Sequence, residues 1–446
     1  MANKLQKIIE GSINSLTSGG GGIINRLIGK PLLVYHTIPN EVVKVLTKSR
    51  KKEGILAELQ EVIEASPFRV VPQCPLAGQC GGCKWQHIDY LQQLTIKKEL
   101  IQKTFAAKQI SLPDFTIVCG EKELFYRNRM DFMFCRNGEL GLKEAGRWWA
   151  VVDLPECFLM SKEANEILSR LRVWTKNSGL PFWDNKKHEG FWRAAVIREG
   201  KNTGERLVAI ITNRNPEAEK LIKELSDVIG DLTTSIVWGI NERITDLSDA
   251  DEIISIKVNP WLIEEINGLK YQIAPCSFFQ TNSDMAKKLQ DTVLELVEPK
   301  NKTVADFYCG AGFFSLALVK TGAKKVVGVE ADMAGIAAAK NNARINNLKA
   351  DFFAAKIEDY FKDETIAQNF NTIILDPPRA GLHPKVIEIL LKTLPSTIVY
   401  VSCNFSRLAE ELSKFLEFYS IANFRALDLF PQTPHVEVVI KLVKKP

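Results

Sequence analysis

The sequence predicts an α/β protein whose carboxyl-terminal part is a doubly wound, Rossmann-like domain, preceded by a small β-barrel and an α+β middle domain. Two observations lead to this prediction. From Thr303 onward, strand-like and helix-like segments alternate, whereas residues 1–70 hold short β-prone runs separated by Gly and Pro. The residues between them mix the two patterns. We therefore expect three domains, over residues 1–70, 71–270 and 271–446.

The carboxyl-terminal domain is expected to consist of strand–loop–helix units followed by a pair of edge strands. These last strands, 424–429 and 436–442, have no equally long helix between them, which predicts an antiparallel pair. The preceding units are expected at 304–307 with 312–320, 326–329 with 333–346, 372–375 with 384–394, and 397–401 with 406–415.

The amino-terminal segment predicts a small antiparallel, OB-like barrel with a basic tip at 48–52. Residues 1–72 contain ten Lys/Arg and six Asp/Glu, so we expect an acidic partner there, although a solvated basic face explains the charge equally well. In the middle domain we expect strands within 125–152, 191–212 and 234–239. Helices are expected at 89–107, 162–176 and 218–229, the first packing on the carboxyl-terminal domain.

Composition excludes several classes of protein. With 46% hydrophobic and 25% charged residues, the chain is of ordinary globular type. The first ten residues lack the apolar core of a signal peptide, and no apolar run approaches membrane-spanning length, so we expect a cytoplasmic protein without membrane contact. Nine cysteines in such a chain favour metal binding or catalysis over disulfides.

A glycine-containing loop follows the first strand of the carboxyl-terminal sheet, within Asp306-Phe-Tyr-Cys-Gly-Ala-Gly312. Gly310 and Gly312 allow a ligand to approach the backbone at a helix start. Glu330 ends the next strand, where a carboxylate can accept hydrogen bonds from both ribose hydroxyls. These features predict a nucleotide-like cofactor, and a dinucleotide would suit them almost as well as S-adenosylmethionine.

Two further loops are expected at the same sheet edge. Asp376-Pro-Pro-Arg379 closes the next strand, and its prolines fix where the Asp and Arg side chains point. Amino-directed methyltransferases often have an aromatic residue after such a Pro-Pro pair, so Arg379 argues against an amine substrate. Cys403 follows the last of the parallel strands. A lone strand-end cysteine is usually inert, but its position beside the cofactor loop predicts a reactive thiol.

Three more cysteines form Cys74-x5-Cys80-Gly-Gly-Cys83, a spacing that indicates a metal centre. Cys157 as the fourth ligand would give an all-thiolate iron–sulfur site. His87 as the fourth ligand would give a Cys3His zinc site.

Together these motifs resemble the iron–sulfur-containing RNA (uracil-5-)-methyltransferases of the type that modifies bacterial large-subunit ribosomal RNA. The resemblance covers nearly the whole chain, from a TRAM-type RNA-binding barrel to the carboxyl-terminal motifs. The other segments that contribute to it are Cys74-Pro-Leu-Ala-Gly-Gln-Cys-Gly-Gly-Cys-Lys-Trp-Gln-His87, Tyr126-Arg-Asn-Arg129 and Ser277-Phe-Phe-Gln-Thr-Asn282.

The resemblance implies an enzyme that methylates carbon 5 of a uridine, with 23S ribosomal RNA as the expected substrate and transfer RNA as the alternative. We expect the enzyme to be a monomer. It implies a 4Fe-4S cluster on Cys74, Cys80, Cys83 and Cys157. It also implies S-adenosylmethionine bound by Gln280, Tyr308, Glu330 and Asp376, in addition to the glycine loop. An amino-directed methyltransferase, and an RNA-binding assembly factor with impaired catalysis, are the rival hypotheses.

Carbon 5 of uracil is a poor nucleophile, which explains the need for a thiol. We expect Cys403 to add to carbon 6, so that carbon 5 can attack the methyl group, and Glu437 to remove the carbon 5 proton, with His435 as a less favoured base. RNA contacts are expected from Arg127, Arg129 and the Trp192-Arg193 pair. The chain departs from the family pattern at Phe313, usually Asn, and at Phe405, usually Pro.

Overall fold

The computed structural model describes residues 6–361 and 370–446. Met1 to Leu5, at the start of the segment inspected for a signal peptide, lie outside these ranges. The described residues form sheets of six, seven, two and eight strands. Within them, no helix is both long enough and apolar enough to cross a membrane.

The six-stranded sheet is formed by the amino-terminal residues, in the order β1-β5-β6-β4-β3-β2. Its strands are β1 (Ile8–Ser12), β2 (Ser15–Leu16), β3 (Gly22–Ile24), β4 (Leu32–Val34), β5 (Val42–Arg50) and β6 (Ile55–Glu64). β4 and β6 are parallel, so the prediction of an entirely antiparallel arrangement is wrong at this pair. The reason is topological, because the chain passes through β5 before returning beside β4.

The middle of the chain forms a seven-stranded sheet, in the order β10-β9-β8-β11-β12-β13-β14, with helices packed against it. The predicted helix at 218–229 is divided into two short helices. The elements from here are α1 (Tyr90–Ala106), β7 (Ile117–Val118), β8 (Arg129–Phe134), β9 (Leu140–Glu144), β10 (Arg147–Asp153), α2 (Lys162–Asn177), β11 (Trp192–Glu199), β12 (Arg206–Thr212), α3 (Glu219–Lys223), α4 (Leu225–Ile229), β13 (Ser235–Ile240) and β14 (Glu252–Lys257).

The carboxyl-terminal residues form an eight-stranded sheet, in the order β19-β18-β17-β20-β21-β23-β22-β7, with a separate β15–β16 hairpin before it. Its elements are β15 (Leu262–Ile266), β16 (Leu269–Ile273), α5 (Ser283–Val297), β17 (Thr303–Phe307), α6 (Phe313–Lys320), β18 (Lys325–Glu330), α7 (Met333–Ile345), β19 (Asp351–Ala354), α8 (Ile357–Tyr360), β20 (Thr372–Leu375), α9 (Pro384–Thr393), β21 (Thr397–Ser402), α10 (Phe405–Phe415), β22 (Tyr419–Leu427) and β23 (Glu437–Lys444).

The predicted alternation of strands and helices is confirmed in this sheet, where β17 to β21 are parallel. β23 is antiparallel to both of its neighbours, β21 and β22. The hairpin β15–β16 and helix α5 were not anticipated from the sequence, and the boundary expected at residue 270 falls inside β16. β7, which precedes the seven-stranded sheet in the chain, pairs with β22 at the edge of the eight-stranded sheet.

Helix α1 confirms the helix predicted at 89–107 and packs on the carboxyl-terminal sheet. Its Phe105 ring lies edge-on to Phe424 of β22, with centroids 5.7 Å apart. Near the helix centre, the buried Lys97 ammonium donates to the buried Asp428 carboxylate at 2.6 Å. Removing one partner of such a pair typically costs about 3–5 kcal/mol, since the other charge is left buried and unpaired. α1 is therefore firmly attached to the end of β22, just before the loop that leads to Glu437.

Candidate active site

The loops predicted to carry chemistry lie at one edge of the eight-stranded sheet. β17, β18, β20 and β21 are parallel, so their carboxyl ends lie side by side. Because β23 runs the opposite way, it begins at this edge, and Ser402 at the end of β21 pairs with Val438. Cys403, which follows β21, and Glu437, which begins the neighbouring β23, therefore lie at the same edge.

The backbone conformation of the loop after β17 would allow a ligand to approach the main chain closely. Gly310 and Gly312 have φ of 49° and 83°, values that favour glycine. The N–H of Gly310 donates to the Glu330 carboxylate at 3.3 Å, and the other carboxylate oxygen accepts from the N–H of Asp332 at 3.0 Å. A Cβ at Gly310 would meet nothing within 4 Å. Glu330 thus joins two adjacent loops beside open space.

Gln280 lies between β16 and α5, where its backbone carbonyl accepts a hydrogen bond from the Asn128 amide at 2.8 Å. Its neighbour Phe279 packs edge-on against Phe313, with centroids 5.7 Å apart. This contact places the Gln280 segment against the first turn of α6, which follows the glycine loop. Phe313 is 8% exposed and also contacts the Tyr271 ring. Phe313, which departs from the family pattern, is therefore part of an aromatic cluster in the core.

Three carboxyl groups are concentrated around the ends of β17, β20 and β23. Burial raises the pKa of Asp306 to about 7. A hydrogen bond from the Ser315 hydroxyl at 2.5 Å acts in the opposite direction. Burial and the nearby Asp306 raise the pKa of Asp376 to about 7. Burial and Asp376 also raise the pKa of Glu437 well above its ordinary value. A cationic ligand at this edge would be stabilised by these groups, and the methyl donor's sulfonium is a cation.

Cys403 lies within electrostatic reach of two of these carboxyl groups. Burial, Glu437 and Asp376 together raise the pKa of its thiol to about 11, against the opposing charge of Arg379. The thiol is therefore protonated at neutral pH in the free protein. A positive charge brought to the site would favour the thiolate, which is the nucleophilic form.

Asn404, directly after Cys403, fixes the conformation of this loop. Its side-chain oxygen accepts from the N–H of Arg407 at 3.2 Å, capping α10, and its side-chain amide donates to the Arg379 carbonyl at 3.1 Å. Phe405 is the first residue of α10 and is 5% exposed. Proline is favoured at this helical position because its missing N–H has no intrahelical partner there. The departure at Phe405 is thus compatible with the same helix start.

His435 contacts Arg379, with the guanidinium 3.2 Å from the imidazole Nδ1. Burial, together with the positive charges of Arg379 and Lys84, lowers the pKa of His435 to about 4. A neutral imidazole with so low a pKa is a weak base. Glu437, whose pKa is raised, is the stronger candidate for proton abstraction.

All nine cysteines lie in the described residues and are free thiols. Within the described ranges, no group of three or more His, Cys, Asp or Glu side chains is placed to hold a metal ion. Nevertheless, Cys83 is influenced by Cys74, Cys80 and Cys157, so the four thiols share one neighbourhood; burial is the main cause that raises the pKa of Cys83 to about 12.

His87, the alternative fourth ligand, contacts residues that follow β4. Its Nε2 is 3.4 Å from the Thr37 carbonyl, and its ring is edge-on to His36 at 5.7 Å. Burial lowers the pKa of His87 to about 3. Its position between the amino-terminal sheet and the cysteine segment gives no support to the Cys3His zinc hypothesis.

The predicted RNA contacts are only partly available. Trp192 and Arg193 are 0% and 1% exposed, and the Arg193 guanidinium donates to the Asn241 carbonyl at 2.6 Å, so their predicted role as RNA contacts is wrong. The reason is that β11 is a central strand of its sheet, covered on both faces. Arg129 is bound to the Asp131 carboxylate at 2.7 Å.

Arg127 is different, because it lines a cleft of about 1700 Å³ between the amino-terminal sheet, the cysteine segment, β8 to β10 and residues 278–281. Exposed aromatic side chains stand along this cleft, namely Tyr35 at 40%, Trp148 at 54% and Phe278 at 75% exposure. Sequence reasoning missed Trp148 and Lys84. Their only signal was the proximity in sequence of aromatic and basic residues, which is common on protein surfaces.

The Rossmann-like sheet, its glycine loop with Glu330, and the cysteine at the same edge form the arrangement expected of an S-adenosylmethionine-dependent methyltransferase. Comparison with known proteins gives the family. Residues 260–445 match the sequence family described as tRNA (Uracil-5-)-methyltransferase. The chain is 38% identical over 436 residues to the tRNA (uracil(54)-C(5))-methyltransferase of Pyrococcus furiosus, covering 97% of this chain and 99% of that protein.

Other relatives agree with this family. An uncharacterized RNA methyltransferase of Nanoarchaeum equitans is 40% identical over 420 residues, covering 94% of this chain and 90% of that one. The crystal structure of Pyrococcus abyssi tRNA (uracil-54, C5)-methyltransferase in complex with S-adenosyl-L-homocysteine superposes with a TM-score of 0.80 at 32% identity, covering 97% and 99% of the two chains. The chain belongs to the RNA (uracil-5-)-methyltransferase family and is an S-adenosylmethionine-dependent enzyme.

Proposed function

We propose that this enzyme methylates carbon 5 of a uridine in transfer RNA, with Cys403 as the nucleophile and Glu437 as the base. The observation that carries the proposal is the position of Cys403 and Glu437 at one sheet edge, beside Asp376 and the glycine loop. The transfer RNA substrate is supported by full-length relatives at 36–38% identity that are named for uracil 54 of transfer RNA. The ribosomal RNA expectation has no such support, so it becomes the second arm of the test.

The cofactor contacts belong to the same proposal. Glu330 would accept hydrogen bonds from the ribose, next to the open space above Gly310. Gln280, Tyr308 and Gly312 border the same loop, and Asp376 would lie near the positive charge of the donor. When bound, S-adenosylmethionine supplies the methyl group as an electrophile.

The protein's own residues perform the remaining steps. The Cys403 thiolate forms a bond from its Sγ to carbon 6 of the uracil, which moves electron density onto carbon 5. Carbon 5 then takes the methyl group, and the Glu437 carboxylate accepts the carbon 5 proton. The carbon–sulfur bond breaks as the ring double bond reforms, which returns the thiolate. Buried Glu437 is suited to this task because its raised pKa makes it a better base.

The substrate is tested by methylating unmodified transcripts and identifying the product nucleoside by mass spectrometry after complete digestion. We expect 5-methyluridine in a transfer RNA pool and none in 23S ribosomal RNA transcripts. A transfer RNA with cytidine at the mapped position is the matched control and should stay unmethylated. Methylation confined to ribosomal RNA would overturn the substrate proposal, and a product methylated on an exocyclic amine would overturn the carbon 5 reaction.

We also propose that Cys74, Cys80, Cys83 and Cys157 hold a 4Fe-4S cluster. The four thiols lie close enough to influence one another electrostatically, which supports a shared centre. Buried Cys157 and the glycines between Cys80 and Cys83 provide an enclosed all-thiolate donor set, which iron–sulfur clusters use.

The cluster is tested by iron and acid-labile sulfide analysis after anaerobic purification. We expect about four of each per chain. Cys83→Ala should lose most of both, whereas Cys119→Ala, at a cysteine with no proposed role, should retain them. Stoichiometric zinc without sulfide in the wild type would overturn the cluster.

A further inference from the structure

Three cationic side chains from separate segments converge on the loop of residues 431–435, which precedes Glu437. The Arg379 guanidinium reaches His435 Nδ1 at 3.2 Å. Arg127 follows Tyr126, whose hydroxyl donates to the Pro431 carbonyl at 3.1 Å.

Lys84 reaches the same loop from the cysteine segment. It precedes Trp85, whose backbone N–H donates to the Gln432 carbonyl at 3.0 Å. The Lys84 ammonium donates to the Gly19 carbonyl at 3.2 Å and lies 5.7 Å from the centre of the Tyr35 ring. Gly20 packs directly against Pro434, so this ammonium is held beside the 431–435 loop.

None of these three cations is neutralised by an ion pair. In the ranges 6–361 and 370–446, no carboxylate lies within ion-pair distance of Lys84, Arg127 or Arg379. The Arg127 Nε is buried without a hydrogen-bond partner. All three charges act on His435, whose imidazole stays neutral. Cations placed together in this way repel one another, and an anion between them would remove that cost.

Other cations along the same cleft are already paired. Lys48 binds Glu58 at 2.6 Å, and Lys143 and Arg147 bind Asp246 and Glu144. Among the described residues, Lys84 and Arg127 are therefore cations of the cleft lining without an ion-pair partner, and Arg379 lies close enough to act electrostatically on both Lys84 and Cys403. This separates an anion site from a generally basic surface.

We propose that Lys84, Arg127 and Arg379 bind one backbone phosphate of the RNA, adjacent to the uridine that reaches Cys403. The proposal rests on the proposed function, since a uridine at Cys403 brings its flanking phosphodiesters with it. Lys84 and Arg127 line the cleft, and Arg379 stands beside the nucleophile, so the trio lies where a strand would leave the cleft for the reaction site. Two guanidinium groups and an ammonium are the donors that phosphate oxygens prefer.

The proposal is tested with a synthetic RNA hairpin that carries the target uridine and a neutral methylphosphonate at one flanking phosphate. Binding is measured with Cys403→Ala protein, so that affinity is separated from chemistry. At one flanking position, on the 5′ or the 3′ side, we expect the methylphosphonate to weaken binding about tenfold, as for loss of a charge-assisted hydrogen bond. In the added background of Lys84→Gln or Arg379→Gln, the same methylphosphonate should weaken binding less than twofold.

Controls separate a local site from general electrostatics. Each single variant should reduce the slope of log affinity against log salt by about 0.7, the value for one phosphate on a single strand. Lys84→Arg should restore the slope, and Lys223→Gln, at an exposed helical lysine distant in sequence, should leave it unchanged. Equal sensitivity of the parent protein and Lys84→Gln to the methylphosphonate, with Arg379→Gln agreeing, would overturn the phosphate site.

The proposed function has its own readout in the same samples. If wild-type protein converts the unmodified hairpin to 5-methyluridine while neither flanking methylphosphonate affects binding, the phosphate site is wrong and the proposed function stands. If the hairpin is bound but never methylated at carbon 5, both proposals fail.

Discussion

Replacing Cys403 by alanine is expected to abolish 5-methyluridine formation and the covalent complex with 5-fluorouridine RNA. Fluorine at carbon 5 cannot leave as a proton does, so the wild-type enzyme should stop with carbon 6 bonded to Cys403. Without the sulfur, carbon 5 has no route to sufficient nucleophilicity, and turnover should fall below detection. Denaturing electrophoresis with labelled RNA, in the presence of S-adenosylmethionine, measures the adduct directly.

Cys135→Ala is a suitable comparison, because Cys135 is also partly buried with a raised thiol pKa but belongs to the middle of the chain. It should form the adduct like the wild type. Intact circular dichroism and unchanged RNA affinity in Cys403→Ala would show that only the chemistry is lost. An adduct that persists in Cys403→Ala would assign the nucleophile to another residue.

Much of the carboxyl-terminal sheet could be predicted because its signals are local. Alternating strands and helices, Gly312 before α6 and Cys403 after β21 can all be read from short windows of sequence. The parallel pairing of β4 with β6 and the addition of β7 to a distant sheet could not, since pairing partners far apart in the chain leave no local pattern.

The site shows the same division. Strand-end positions correctly indicated that Asp376 and Cys403 would lie at one edge, because parallel strands bring their carboxyl ends together. Glu437 reaches the same edge because β23 runs the opposite way. The sequence did not correctly indicate which of the predicted contact residues are buried. Arg193 was expected at a surface, yet it stacks 3.9 Å from the Trp183 ring centre in the interior.

The buried Lys97 in α1 was not singled out from the sequence, and its partner Asp428 lies 331 positions away. Such long-range pairs fix the loop that leads to the proposed base. Their existence follows from how α1 docks on β22, which no local pattern in either segment specifies.

Replacing Glu437 by glutamine is expected to trap the enzyme on ordinary RNA, without fluorine. Addition of Cys403 and methyl transfer should still occur, since neither step needs the carboxylate as a base. Loss of the carbon 5 proton should slow by about 10²–10⁴-fold, and methylated RNA should remain attached to the protein. Intact mass spectrometry would show the protein, the RNA and one additional methyl group in a single species.

His435→Gln distinguishes the two candidate bases. His435 is neutral with a pKa of about 4 and in contact with Arg379, so this variant should turn over more slowly through altered binding but accumulate no methylated adduct. Glutamine keeps the size of Glu437 and can tolerate the same buried position, at the first residue of β23 opposite Leu427. A methylated adduct in His435→Gln but not in Glu437→Gln would reverse the assignment. An adduct with Glu437→Gln that lacks the methyl group would instead show that the carboxylate is needed before or during methyl transfer. Carbon 5 can lose its proton only after it has gained the methyl group, so such an adduct would stop before proton removal.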